Sequence, residues 1–253
     1  MSWLGGDVRG TSPYCVGQGW EVKYGLMRAY IEGVAALREA DPTVRILTTE
    51  PLINIVAPPN PIRRHVREAR RAHVQQFQSV DMLAGRMCPE LGGRAEYLDI
   101  LGFNYYYDNQ WDFPFHRHLG WNDPVMDPRW KPLRQLLAEA YRRYRRPMVV
   151  TETSHPGEDR PIWWRKIGEE CAAARRAGLP LWGACAYPIV DRPDWDFLDR
   201  WHQSDFWDAE LQPDGQPPRL HLDAATAEAF HLAQQAVAAA QPAKRRVRAM
   251  TGV

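Results

Sequence analysis

Residues 147–157 read PMVVTETSHPG: a proline, four residues suited to a buried strand, Glu152, and soon after it a histidine, a second proline and a glycine. A short apolar run rich in valine and threonine is the pattern of a strand covered on both faces, as in parallel α/β sheets. A carboxylate is costly in such a strand unless it stands at the strand's open end. Ligand sites also gather at the carboxyl ends of parallel strands. Glu152 is therefore either a side chain leaving the core for solvent or one member of a site, and the flanking chain has to decide.

Outward from that strand, apolar periodicity alternates with short apolar runs. A helix over 20–40 is stopped by Asp41-Pro42, and VRILTTEP (44–51) reads as a strand ending at Glu50. After a proline-rich loop and a basic helix over 62–83, YLDILGFNYYY (97–107) reads as a strand ending in Asn104 and three tyrosines. A long aromatic loop (108–129) leads to a helix over 132–144 and then to the Glu152 strand. A helix over 160–177 is closed by Gly178, and LPLWGACAYPIV (179–190) is the fourth strand. Past a loop running to about residue 221, the alanine-rich last helix has Asp223 as its cap.

Strands alternating with helices imply parallel βαβ units, either in an open doubly wound sheet or in a (β/α) barrel. The open nucleotide-binding sheet wants a glycine-rich turn after a strand. Gly5-Gly6 and Gly92-Gly93 do not stand in that position. The barrel wants functional side chains at the carboxyl ends of several strands. Here four strands end at Glu50, at Asn104-Tyr105-Tyr106, at Glu152, and at Tyr187 with Asp191, Asp194 and Trp195 just beyond. That moves Glu152 towards function, although four strands are half of an eight-stranded barrel.

Composition bounds the rest. The 253 residues are 45% hydrophobic and 25% charged, with a net charge of +1, enough for one large domain and no electrostatic case for nucleic acid or an anionic membrane. The division expected is one barrel-type domain over 1–240 and a basic tail over 241–253 carrying Lys244, Arg245, Arg246 and Arg248. No stretch of spanning length and no signal peptide is evident, and the four cysteines show no metal spacing, so a reduced cytoplasmic protein is the expectation. His116 and His118 have HxH spacing but lie in the aromatic loop with no strand before them, so no metal and no cofactor are expected.

ILGFNYYY, VVTETS and CAYPIVDRPDW, in that order and spacing, resemble the sixth, seventh and eighth strands of a clan A retaining glycoside hydrolase of the β-glucosidase-like, family 1 type. The resemblance implies an α/β fold, a parallel half-barrel corresponding to the last four strands of a TIM barrel. It puts Glu152 on the nucleophile, with Asn104 and Tyr106 as its hydrogen-bonding neighbours. Tyr187 stands for the aromatic platform, Asp191 matches the family's aspartate, Asp194 replaces its sugar-binding glutamate, and Trp195 keeps its last tryptophan. Ser154 stands where the family has glycine.

The chemistry fits that assignment. Retaining glycosidases set two carboxyl groups about 5–5.5 Å apart around an oxocarbenium-like transition state. Tyrosine and asparagine donors favour the ionised form of a neighbouring carboxylate. Trp111, Phe113, Phe115 and Trp121 form either an aromatic wall for a sugar or a cluster tethering the long loop. His202, in WHQSDFW, is either a substrate-loop residue or a structural one, and Glu50 is a candidate substitute acid.

In the resembling family the acid/base glutamate ends the fourth strand, just before a segment like SWLGGDV, so its counterpart is expected upstream of Met1. A misassigned start, a separate docking half, or a half-barrel standing alone would each account for this. A lone half-barrel exposes sheet edges and an inner face, so docking to the other half or self-association is expected. The functional expectation is a retaining glycosidase-like domain acting on a carbohydrate. The alternative is a non-catalytic carbohydrate-binding or assembly half-barrel.

Overall fold

The computed structural model describes residues 15–194, 199–213 and 216–240. Trp195 and the basic tail lie outside the described residues. The helices are α1 (Gly19–Ala40), α2 (Arg63–Gln75), α3 (Gln78–Leu83), α4 (Leu133–Tyr144), α5 (Arg160–Arg176) and α6 (Ala224–Ala239). The strands are β1 (Glu50–Pro51), β2 (Asn54–Val56), β3 (Leu101–Asn104), β4 (Gln110–Asp112), β5 (Met148–Thr153), β6 (Leu181–Ala186), β7 (Trp207–Glu210) and β8 (Arg219–Leu222). Among the described residues, no helix is long and apolar enough to cross a membrane.

The main sheet has the order β1-β3-β5-β6 with every pairing parallel, the arrangement that the alternation of strands and helices implies. The first strand is more irregular than its apolar run suggests. Its ladder starts with Ile100 N–H donating to Ile46 O (3.1 Å) and Thr48 N–H to Ile100 O (3.1 Å), and becomes regular only at Glu50. Gly102 explains the close approach: a Cβ there would lie 1.8 Å from the Thr48 carbonyl oxygen.

Alternation along the strands sorts two faces. Leu101, Phe103, Met148, Val150 and Leu181 are buried together with Met27, Ile31 and Val34 of α1, Leu133, Leu136 and Leu137 of α4, and Trp163 and Ile167 of α5. On the other face Arg45, Leu47 and Thr49 are exposed on the way into β1, and Trp182 is 52% exposed on β6. The Arg45 guanidinium carbon lies 5.1 Å from the centre of the Trp182 ring. In a flat sheet, first and fourth strands would stand about 14 Å apart at the usual ~4.8 Å spacing. Side chains from the two outer strands meet because the sheet is strongly curled.

Three features depart from the expected elements. The helix expected over 62–83 breaks at Gln76-Phe77 into α2 and α3, which lets Asp81 pair with Arg143 and accept from Tyr144 Oη (2.9 Å). The aromatic loop contains β4, which pairs in parallel with β2. The loop expected from 191 to 221 contains the antiparallel β7–β8 pair. Gln110 holds β4 in place, donating to Tyr105 Oη (2.9 Å) and Lys131 O (2.7 Å) and accepting from Asn54 Nδ2 and Lys131 N (both 2.8 Å). The Asp223 cap forms as expected, accepting from Thr226 N (3.0 Å).

The last helix docks on α5, where a Cβ on Gly168 would lie 2.5 Å from Ala233 Cβ. Trp164, Phe206 and Phe230 form an aromatic triad at the same contact, with centroids 4.8–5.8 Å apart. Gly168→Val should therefore lower stability by roughly 1–3 kcal/mol through overpacking, read as a lower urea midpoint. A second prediction concerns Glu139 of α4. Burial raises its pKa, but hydrogen bonds from His73 and Lys131 outweigh burial and bring the carboxyl down to about 2. His73 Nδ1 accepts from Ile55 N (3.3 Å), which leaves Nε2–H to donate to Glu139 (3.2 Å). The stability advantage of the wild type over Glu139→Gln should be full above the ordinary carboxyl range and disappear as pH falls towards about 2. Denaturant titrations of both proteins across that window test the sign.

Candidate active site at the carboxyl ends of the strands

Three backbone hydrogen bonds align the strand ends. Tyr105 N–H donates to Glu152 O (2.9 Å), Leu52 N–H to Asn104 O (2.9 Å) and Tyr187 N–H to Thr153 O (3.3 Å). The register shifts between Phe103 and Asn104, which brings Asn104 opposite Glu152. Tyr105 is buried and stacks on Trp163 at 5.7 Å, so the next residue turns the other way, to the open end. Tyr106 Oη there donates to Glu152 Oε2 at 2.8 Å.

Burial, then the hydrogen bond to Glu152 and its charge, push the Tyr106 phenol far above its ordinary pKa, so it remains a donor. Thr151 Oγ1 donates to Asn104 Oδ1 (2.7 Å). This fixes the amide's orientation and leaves its nitrogen as the donating end. Asn104, Tyr106 and Glu152 are all half-buried, consistent with a polar group at the mouth of the sheet rather than in its core.

Around this group lie Tyr187, whose ring is 5.8 Å from the Arg192 guanidinium carbon, and Tyr107, whose pKa is raised by burial and then by Asp108 and Asp194. His202 is half-buried and its pKa is lowered, first by burial and then by Arg192. Its Nδ1 is 2.7 Å from Ser204 Oγ. Tyr187, Asp194 and His202 thus share one electrostatic neighbourhood with Tyr106 and Tyr107.

Other expected residues are used differently. Glu50 lies on the helix face with Ile46 and Thr48, where burial raises its pKa and Ser79 and Lys23 oppose the rise. The strand pleat turns it away from the face of Arg45, Leu47 and Thr49, so it does not serve as a substitute acid beside Glu152. Asp191 is buried, and its Oδ1 accepts from the backbone N–H groups of Arg192 and Gln203, both at 2.9 Å, so this oxygen secures the loop.

Trp111 is on β4 and has His116 as its ring neighbour (6.5 Å), while His118 bridges to it through the backbone. The HxH pair therefore serves its own loop, although a short strand does precede it. Trp121 is buried against Trp163 (5.1 Å) and His155 (5.0 Å), which favours the tether over the wall.

Sequence reasoning did not single out Thr151, Arg192 or Asp205. Thr151 was visible as the alternate position before Glu152. Asp205 sits between a serine and an aromatic pair, with nothing local to mark it as buried.

The geometry defines an α/β protein with a curled parallel sheet and polar side chains gathered at its carboxyl edge, a fold similar to that of solved β-glucosidases. Among solved structures, the hyperthermophilic β-glucosidase from Pyrococcus furiosus is similar with a TM-score of 0.65 at 15% identity, covering 93% of this chain and 52% of that one. The family 1 β-glucosidase from Thermotoga maritima, in complex with isofagomine lactam, gives 0.63 at 14% identity, covering 91% and 60%. At these identities the likeness is one of fold. The chain spans between about half and three fifths of the length of those enzymes. No protein-family profile and no curated relative matches it.

The hydrogen bond from Tyr106 to Glu152 yields a direct test. A double-mutant cycle with Tyr106→Phe and Glu152→Gln, read by denaturant unfolding, should give a coupling energy of about 1 kcal/mol or more. Additive effects would mean that the two side chains do not interact.

Proposed function

We propose that this chain is a (β/α) half-barrel corresponding to the last four strands of a retaining β-glycosidase, with Glu152 as its nucleophile. One observation carries the reading: a carboxylate at the end of a parallel strand, held by a tyrosine hydroxyl at 2.8 Å beside a fixed asparagine, in a β-glucosidase-like fold. A Glu152 oxygen attacks the anomeric carbon as the bond to the leaving oxygen breaks, giving a covalent glycosyl-enzyme that water then hydrolyses. Tyr106 keeps the carboxylate oriented, and the Asn104 amide nitrogen is available to a sugar hydroxyl. Tyr187, Asp194 and His202 line the sugar side.

The proton for the leaving group, and the base for water, are assigned to a carboxyl group on the other half of such a barrel. The chain's coverage of about half of the β-glucosidases supports this division. So does the sheet itself. Leu47 (41% exposed) and Trp182 lie on the face that a completed barrel would enclose, and β1 and β6 are outer strands. Exposed apolar surface beside strand edges that have no partner among the described residues favours association, either with the complementary half or with a second copy.

General acid assistance contributes typically ~10²–10⁴-fold, roughly 3–5 kcal/mol of barrier. This chain alone should therefore turn over ordinary glycosides poorly, while an activated fluoro- or dinitrophenyl glycoside needs no proton to leave. Intact mass after incubation with such glycosides should show one sugar adduct on the wild type and none on Glu152→Gln. Rapid turnover of an unactivated glycoside would overturn the missing-acid argument. A folded chain forming no adduct with any sugar would move the assignment to a carbohydrate-binding or assembly role.

A further inference from the structure

We propose that Asp191, Asp205 and Asp208 form a binding site for a hard divalent cation of the calcium type, joining the loop after β6 to strand β7. Each carboxylate offers an oxygen, and these atoms all lie within 4.8 Å of one another. That separation is about twice a Ca–O bond of ~2.3–2.6 Å, so the three can share one ion's coordination sphere. The donors are all carboxylate oxygens, which suit calcium, magnesium or manganese rather than a thiolate- or imidazole-seeking metal.

The second observation is Asp205 itself. It is 1% exposed, and neither side-chain oxygen has a hydrogen-bond partner. Its neighbours do have partners. Asp191 Oδ1 takes two backbone N–H groups, and Arg160 donates to both Asp208 oxygens (2.8 and 3.3 Å) and pairs with Asp223 (2.9 Å). Towards Asp205 the same guanidinium donates only to the backbone carbonyl, at 3.1 Å.

Three carboxylates, Asp205, Asp208 and Asp223, thus bear on one guanidinium, and the most buried of them lacks a donor. A buried carboxylate in that position takes up either a proton or a cation. Asp191 and Asp208 set their own carboxylate oxygens within 4.8 Å of the buried Asp205 carboxylate, so three like charges crowd one small volume. A divalent cation relieves that repulsion at all three aspartates at once, whereas a proton relieves it at one. The ion would also brace the segment carrying Asp194. The inference is nevertheless independent of any glycosidase chemistry.

The test uses the full chain, stripped with chelator and titrated with Ca²⁺ by calorimetry. A parallel titration follows Tb³⁺ luminescence, for which Trp207, beside Asp208, is the expected sensitiser. One ion should bind per chain, and Ca²⁺ should raise the unfolding temperature. Asp205→Asn should remain folded without metal, since it removes a repelling charge, and should lose both effects. If that variant fails to fold, Asp191→Asn and Asp208→Asn provide the same comparison, and Asp159→Asn should bind as the wild type does. Undiminished binding in Asp205→Asn would overturn the site. So would the absence of saturable binding of Ca²⁺, Mn²⁺ or Tb³⁺ at millimolar concentration, leaving a shared proton as the solution the cluster uses.

Discussion

The hydrogen bond from Tyr105 N–H to Glu152 O, one step past the register shift in β3, is the constraint on which the candidate site depends. It continues the parallel ladder to the last residue that can still belong to it. Tyr105 is committed to the helix layer by stacking on Trp163 and by the hydrogen bond from Gln110. With one tyrosine fixed inward, the chain has to present the next outward, and Tyr106 meets the carboxylate of the residue whose carbonyl holds its neighbour. The contact between two side chains distant in sequence is thus set by backbone geometry and by a buried aromatic pair. The half-buried mouth adds strength to it, because a charge-assisted hydrogen bond sheltered from water is worth more than an exposed one.

Among the described residues, the sheet that carries this site is covered by helices on one face and exposed on the other. Its helix side is a continuous apolar core from α1 to α5, with α6 added through the Gly168–Ala233 contact. The face opposite the helices carries the exposed Arg45, Leu47 and Trp182. The stacking of Arg45 on Trp182 covers some of that surface with a guanidinium, which interacts well with an aromatic face and is less strongly hydrated than an ammonium. The curl is already present in four strands, so it comes from their twist and from the helices behind them rather than from ring closure.

Much of this was legible in the sequence because it follows from period and punctuation. The four parallel strands, their order and the Asp223 cap rest on local patterns read in series, whereas the meeting of Tyr106 with Glu152 was expected only from the resemblance to the β-glucosidase-like family. The pairs β2–β4 and β7–β8 were not legible, since three or four residues carry too little periodicity to separate strand from loop. The β2–β4 pairing is secured by distant partners, Asn54 and Lys131, which meet at Gln110. Glu50 illustrates a subtler limit. The end of its strand was read correctly, but an irregular strand does not announce which face its last side chain takes, and the pleat turned this one into the helices. Asp205 is the extreme case: nothing within its neighbourhood in sequence distinguishes it from a solvated aspartate, and only the tertiary fold encloses it.

Gln110 has a further consequence, for the chemical lifetime of the protein. Its amide oxygen receives two donors and its nitrogen serves two acceptors, which is the full capacity of the group. Deamidation would replace the nitrogen by a second oxygen and set a buried negative charge against the Lys131 carbonyl oxygen. Tyr105 would have to reverse from acceptor to donor to keep the link between the small β2–β4 sheet and the candidate site. While the chain is folded, the same four bonds hold the amide away from the water that such hydrolysis requires. Ageing at this position is therefore confined to moments when the fold opens, and a molecule damaged then cannot close again in the same way.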